Sequence, residues 1–112
     1  MSVTAAKGFE AAGVATGLKS TGALDVAMVV NRGPLRSAAA VFTSNRAKAN
    51  PILWSQQAVR DGVADVVVLN SGGANCFTGS FGFHTTPLSA ERAAELLDLP
   101  AGAGPACSPG PL

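Results

Sequence analysis

Four apolar residues in succession, Val66-Val67-Val68-Leu69, run directly into Asn70-Ser71-Gly72-Gly73-Ala74-Asn75. This is the sharpest change of polarity in the chain. An apolar run of that length bounded by turn residues predicts a strand over 64–69 that is buried on both faces. The β-branched stretch Leu24-Asp25-Val26-Ala27-Met28-Val29-Val30 predicts another strand, closed by the turn chemistry of Asn31-Arg32-Gly33-Pro34. Ser37 to Thr43, with Val41-Phe42-Thr43, predicts a partner joined to it as a hairpin with a longer loop. Ahead of both, Gly8, Gly13, Gly17 and Gly22 punctuate a segment whose large apolar side chains are Phe9, Val14 and Leu18. Short or bulged strands suit it better than a helix.

The period changes after Asn50-Pro51, where an amide cap and a first-turn proline start a helix that runs to Asp61. Ile52, Gln56 and Val59 share one face with Leu53 beside them, Gly62 stands at the terminating left-handed position, and Trp54 is read as packing. A second helix is predicted over Leu88 to Leu99. Ala90, Ala93, Ala94 and Leu97 keep the helical spacing, Thr86 or Ser89 caps it and Pro100 stops it. Glu91 and Glu95 form its solvated face. Residues 100–112 contain Pro105, Pro109 and Pro111, which remove ladder donors and predict an exposed tail rather than a regular strand.

Composition narrows the function classes. With 112 residues and 47% hydrophobic content the chain is one domain, or part of one, with enough apolar surface for a core. Eight Lys and Arg against seven Asp and Glu leave a formal net charge of +1. The basic residues are dispersed and read as solvated surface, with no footprint for nucleic acid or a membrane surface. Met1 to Lys7 shows neither a secretory segment nor a membrane span, so a cytoplasmic protein is expected. Cys76 and Cys107, 31 positions apart, read as free buried thiols, and the single His84 has no partner spacing for a metal site.

Candidate chemistry centres on the loop after the apolar run. Gly72 and Gly73 free the backbone to aim N–H groups, while Asn70, Ser71 and Asn75 add uncharged donors and acceptors. Such a loop suits carbonyl, carboxylate or backbone partners, although a plain strand-ending turn accounts for the same residues. No GxxxxGK[ST] occurs, and Asn70-Ser71-Gly72-Gly73 does not fit GxSxG. His84 as a base for Ser71, Cys76 or Ser108 rests on chance pairing of one histidine with many hydroxyls. Asp25, Asp61, Asp65, Glu91, Glu95 and Asp98 fall at element ends or on helix faces, without a pair for acid–base work.

Several motifs in order carry a family resemblance: Lys7-Gly8-Phe9 with Ala11-Ala12-Gly13-Val14, Gly17-Leu18-Lys19, Ala40-Val41-Phe42-Thr43-Ser44-Asn45, Pro51-Ile52-Leu53-Trp54, and Leu69-Asn70-Ser71-Gly72-Gly73-Ala74-Asn75 followed by Thr78-Gly79. Over residues 3 to 99 the chain resembles the N-terminal part of ornithine acetyltransferase, the bifunctional glutamate/ornithine N-acetyltransferase of arginine biosynthesis. The resemblance implies an α/β fold, a layered sheet-and-helix N-terminal part that is incomplete here. Residues 1–99 correspond to the chain preceding self-cleavage, and 100–112 form a Pro/Gly-rich tail that departs from the family.

The implied chemistry is acetyl transfer from N-acetylornithine, or acetyl-CoA in bifunctional members, to glutamate, through a threonine exposed by autoproteolysis and without a metal or organic cofactor. The family's oxyanion pair lies in a Cys-Ser-Thr-Gly motif matched by Cys107-Ser108-Pro109-Gly110, so Pro109 and Gly110 are the candidate catalytic positions. Pro109 has neither hydroxyl nor N–H. Thr86-Pro87 is a further departure. The cleavage site, the attacking threonine and the substrate-binding residues lie in a complementary C-terminal chain beyond Leu112, so a truncated fragment, inactive alone, is expected. The alternative is a non-catalytic interaction or scaffold chain that pairs through exposed strands.

Overall fold

A computed structural model of the chain describes residues 2–71, 106–108 and the single positions 80, 92, 95, 96 and 98. It is an α/β arrangement in which a mixed sheet packs with a helix. A short 3-10 turn, Val3–Ala5, leads into β1, Phe9–Val14; then come β2, Val26–Asn31, helix α1, Asn50–Ala58, β3, Val66–Asn70, and β4, Ala106–Ser108. The strands lie in the order β1-β2-β3-β4. β1 and β2 are antiparallel with Phe9 opposite Asn31 and Val14 opposite Val26, and β2 and β3 are antiparallel with Val26 opposite Asn70. β3 and β4 are parallel, Leu69 standing opposite Ser108.

The β-branched run therefore becomes the strand it predicts, but not with the predicted partner. Ser37 makes only an isolated bridge to Val63, and residues 38–43 form no strand. The backbone bonds Ala38 N–H to Gly62 O (2.8 Å) and Ala64 N–H to Arg36 O (3.0 Å) bind this segment to the approach to β3. The Asn31 turn explains the failed hairpin. Its Oδ1 accepts from Gly33 N–H and its Nδ2 donates to Leu35 O, steering the chain away from β2.

Helix α1 has Pro51 in its first turn, but it starts at Asn50, one residue earlier than expected, and its N-cap is Ala49 rather than Asn50, which leaves it without a side-chain acceptor. It ends at Ala58, short of Asp61, in tight turn bonds closed by Gly62 at φ 74°. Its buried residues are Pro51 and Ser55, one position away from the expected stripe, and Leu53 is exposed. Trp54 is half-buried, consistent with packing, although its buried Nε1 has no acceptor among the described residues.

β3 is sealed at one end only. Val66 is 1% exposed, whereas Leu69 is 39% exposed, so the strand is not buried on both faces. Helix α1 lies against β4. β4 itself corrects the expectation of a tail without strand: the three residues between Pro105 and Pro109 retain their N–H groups and pair with β3. Of the second predicted helix, Arg92, Glu95 and Leu96 are helical and Asp98 sits at φ 53°; the remainder of 88–99, with Glu91, lies outside the described residues. Glu95 is exposed and paired with Arg92, in keeping with a solvated face.

Candidate functional site

The register places three chain exits on one edge of the sheet. Val14, Val26 and Asn70 stand side by side, so β1 leaves, β2 enters and β3 leaves at this edge, and the parallel β4 ends there at Ser108. The two stretches singled out in the sequence, after Asn70 and after Cys107-Ser108, thus emerge from adjacent strands. Ligands of open α/β sheets collect beyond the carboxyl ends of parallel strands, which is the position of this edge for β3 and β4.

Asp25, 3% exposed, holds the edge together. One carboxylate oxygen accepts from the Thr16 N–H at 2.7 Å and the Thr16 hydroxyl at 2.9 Å; the other accepts from the N–H groups of Leu18 at 2.7 Å and Lys19 at 3.3 Å. Gly17, at φ 90°, turns the chain so that these donors converge. Burial works to raise the carboxyl pKa, but the bonds from Thr16, Lys19 and Leu18 outweigh it and lower the value to about 2. The Asp25 carbonyl also accepts from Ser71 N–H at 2.7 Å.

The acids are less alike than their sequence positions imply. Asp65 is buried just before β3, and Arg36 Nη1, on a partly exposed side chain, approaches its Oδ1 to 2.8 Å. The alignment is that of a charge contact, because neither Asp65 oxygen has a hydrogen-bond donor among the described residues. Arg36 is thus not simply solvated surface. Arg32, by contrast, meets Glu10 in an exposed pair at 3.3 Å. Among the described residues no three His, Cys, Asp or Glu side chains converge as metal ligands, and no helix is long and apolar enough to cross a membrane.

Asn70 ends β3, Ser71 is tied to Asp25, and the Cys107 and Ser108 backbones pair beside Val68 and Leu69. Gly72, Gly73, Ala74, Asn75, Cys76, His84, Pro109 and Gly110 lie outside the described residues. Asp25 is the residue that sequence reasoning missed as part of this edge. Its only signal was a lone acid at the head of a β-branched run after a glycine-punctuated loop, and the donors that it gathers come from six to nine positions earlier. A separate apolar groove of about 270 Å³ lies between α1 and residues 38–42, with Phe42, Ile52, Val59 and Val67 in its lining.

These features define a layered α/β protein with its candidate site where parallel strands end. The model of the ArgJ family matches residues 10–112, and the chain belongs to that family. It is 58% identical over 110 residues to the arginine biosynthesis bifunctional protein ArgJ of Streptomyces coelicolor, covering 98% of this chain and 29% of the relative. The protein of the same name from Thermobifida fusca is 57% identical over 110 residues, with the same two shares covered. The chain spans less than a third of the length of these curated relatives. Among solved structures, it superposes on ornithine acetyltransferase from Mycobacterium tuberculosis, complexed with ornithine, with a TM-score of 0.94 at 47% identity, covering 98% of this chain and 59% of that one. The Bacillus halodurans arginine biosynthesis bifunctional protein gives a TM-score of 0.90 at 33% identity, covering 100% of this chain and 58% of the other.

Proposed function

We propose that residues 1–99 are the pre-cleavage layer of a threonine-nucleophile acetyltransferase of arginine biosynthesis, acting in the cytoplasm, and that 100–112 depart from the family pattern at Pro109. The observation that supports this reading most is the parallel exit of β3 and β4 at one edge, in a family member that superposes on an ornithine-bound ornithine acetyltransferase. In the complete enzyme the threonine hydroxyl attacks the acetyl carbonyl of N-acetylornithine, or of acetyl-CoA, while the free α-amine takes its proton. Collapse of the tetrahedral intermediate expels ornithine, or CoA where acetyl-CoA is the donor, each leaving with the proton held by the α-amine; the glutamate amine then attacks the acetyl-enzyme and gives its proton to the α-amine, the ester bond to threonine breaks, and N-acetylglutamate leaves as the hydroxyl regains that proton. Pro109 and Gly110 occupy the positions of the oxyanion pair. Gly110 retains an N–H for the developing charge, whereas Pro109 brings no donor, a loss worth about a hundredfold in rate.

The chain alone does not turn over on this reading, because the attacking threonine belongs to a complementary C-terminal chain. The test is acetyl transfer from N-acetylornithine to glutamate, measured for the chain alone and after mixing with a separately produced downstream region of a close relative. Activity restored by mixing supports the reading; turnover by the chain alone overturns its inactivity. A second reading, a non-catalytic partner-binding chain, draws on β1, whose six residues are all exposed at the sheet's border. A stable complex that transfers no acetyl group would favour it.

A further inference from the structure

The side chain and the main chain of Asp25 serve different segments of the same edge. Its carboxylate gathers the backbone N–H groups of Thr16, Leu18 and Lys19 together with the Thr16 hydroxyl, while its carbonyl receives the N–H of Ser71, the first residue after β3. Its own N–H donates to Val14 O at 3.0 Å, which ties the end of β1 to the same residue. We propose that Asp25 is a positioning residue for the site: it locks residues 16–19 and Ser71 to one buried point, so that the β1–β2 loop and the exit of β3 at Ser71 form one rigid rim for an acyl-bearing ligand.

Only the ligand in this inference rests on the acetyl-transfer reading; the coupling stands on the geometry. A carboxylate is the group that the position requires. All four donors point inward, and both oxygens accept charge-assisted bonds without offering a hydrogen in return. An amide of the same shape would turn its NH2 against either Thr16 or the Leu18 and Lys19 N–H groups. A buttress confined to the β1–β2 loop would have no effect on Ser71, whereas the proposed coupling does.

The test is amide hydrogen exchange, read residue by residue, on the 112-residue chain and on Asp25→Asn and Thr16→Val. Asp25→Asn is expected to speed exchange at Leu18 and at Ser71 together by about tenfold, the effect of losing one charge-assisted bond, with Val29 and Val67 unchanged. Thr16→Val, which removes only the hydroxyl donor, should move the same two amides in the same direction by less. If Asp25→Asn does not fold, Thr16→Val decides by the same criterion. Faster exchange at Leu18 with Ser71 unaltered overturns the proposal. In the assembled pair the positioning role predicts a lower kcat with KM for N-acetylornithine little changed. Absence of transfer by the unsubstituted pair defeats the acetyl-transfer reading and leaves the exchange result to judge the coupling.

Discussion

At Asp25 a single ionisation links local geometry to acid stability. The folded carboxyl titrates at about 2, below the ordinary 3.8, so the folded state binds this proton more weakly than the unfolded chain. Its contribution is fully present above the ordinary value and is lost as pH falls through about 2. Thermal unfolding followed while the pH is lowered should therefore show the chain losing stability between these two values, with a shallower loss in Asp25→Asn. An NMR titration of Asp25 at its ordinary value would remove the basis for this expectation. Asp65 illustrates what residue type conceals: two aspartates preceding strands look alike in the sequence, yet one collects four donors and the other faces a guanidinium.

At the scale of elements, glycines with positive φ separate backbone strain from close approach. Gly8 and Gly17 have nearly the same φ, 91° and 90°. A Cβ at Gly8 would lie 3.2 Å from the Gly33 backbone, while one at Gly17 would meet nothing within 4 Å. Gly17→Ala should cost roughly 1–2 kcal/mol from strain alone. Gly8→Ala should cost more, because the β1 entrance and the turn after β2 must part, and the Gly8 O to Arg32 N–H bond of 2.7 Å suffers with them. Urea denaturation of the two variants measures the difference, and equal costs would show that the approach at Gly33 carries no weight.

Most elements were legible because their signals are local. The apolar run over 26–30 marks β2, Pro51 marks the first turn of α1, and the continuous apolarity over 66–69 marks β3. Their partners were not legible. Strand pairing depends on where the chain returns, and the side-chain bonds of Asn31 redirected it after β2 so that β3, not residues 37–43, became the neighbour. β4 escaped notice because three residues between prolines carry too little pattern to register, although three free N–H groups suffice for a ladder.

At the scale of the whole molecule, the exposed large apolar side chains outnumber the buried ones among the described residues. Val41 is 99% exposed and Leu35 77%, while Val30 and Val66 are the buried hydrophobic residues among those described. Apolar side chains exposed to this degree gain by burial against a partner. The chain is therefore expected to associate with rising concentration in sedimentation velocity and to unfold over a broad urea range. A monodisperse monomer with a sharp transition would contradict this.

The sequence by itself determined the family, the location of the principal strands and the first helix, and the candidate loop, because spacing, polarity period and turn residues act over a few neighbours. Only the tertiary structure decided which strands pair, that the exits of β3 and β4 share an edge, and that Asp25 ties that edge together. Those outcomes depend on hydrogen bonds between residues far apart along the chain, and such bonds leave no local pattern to read.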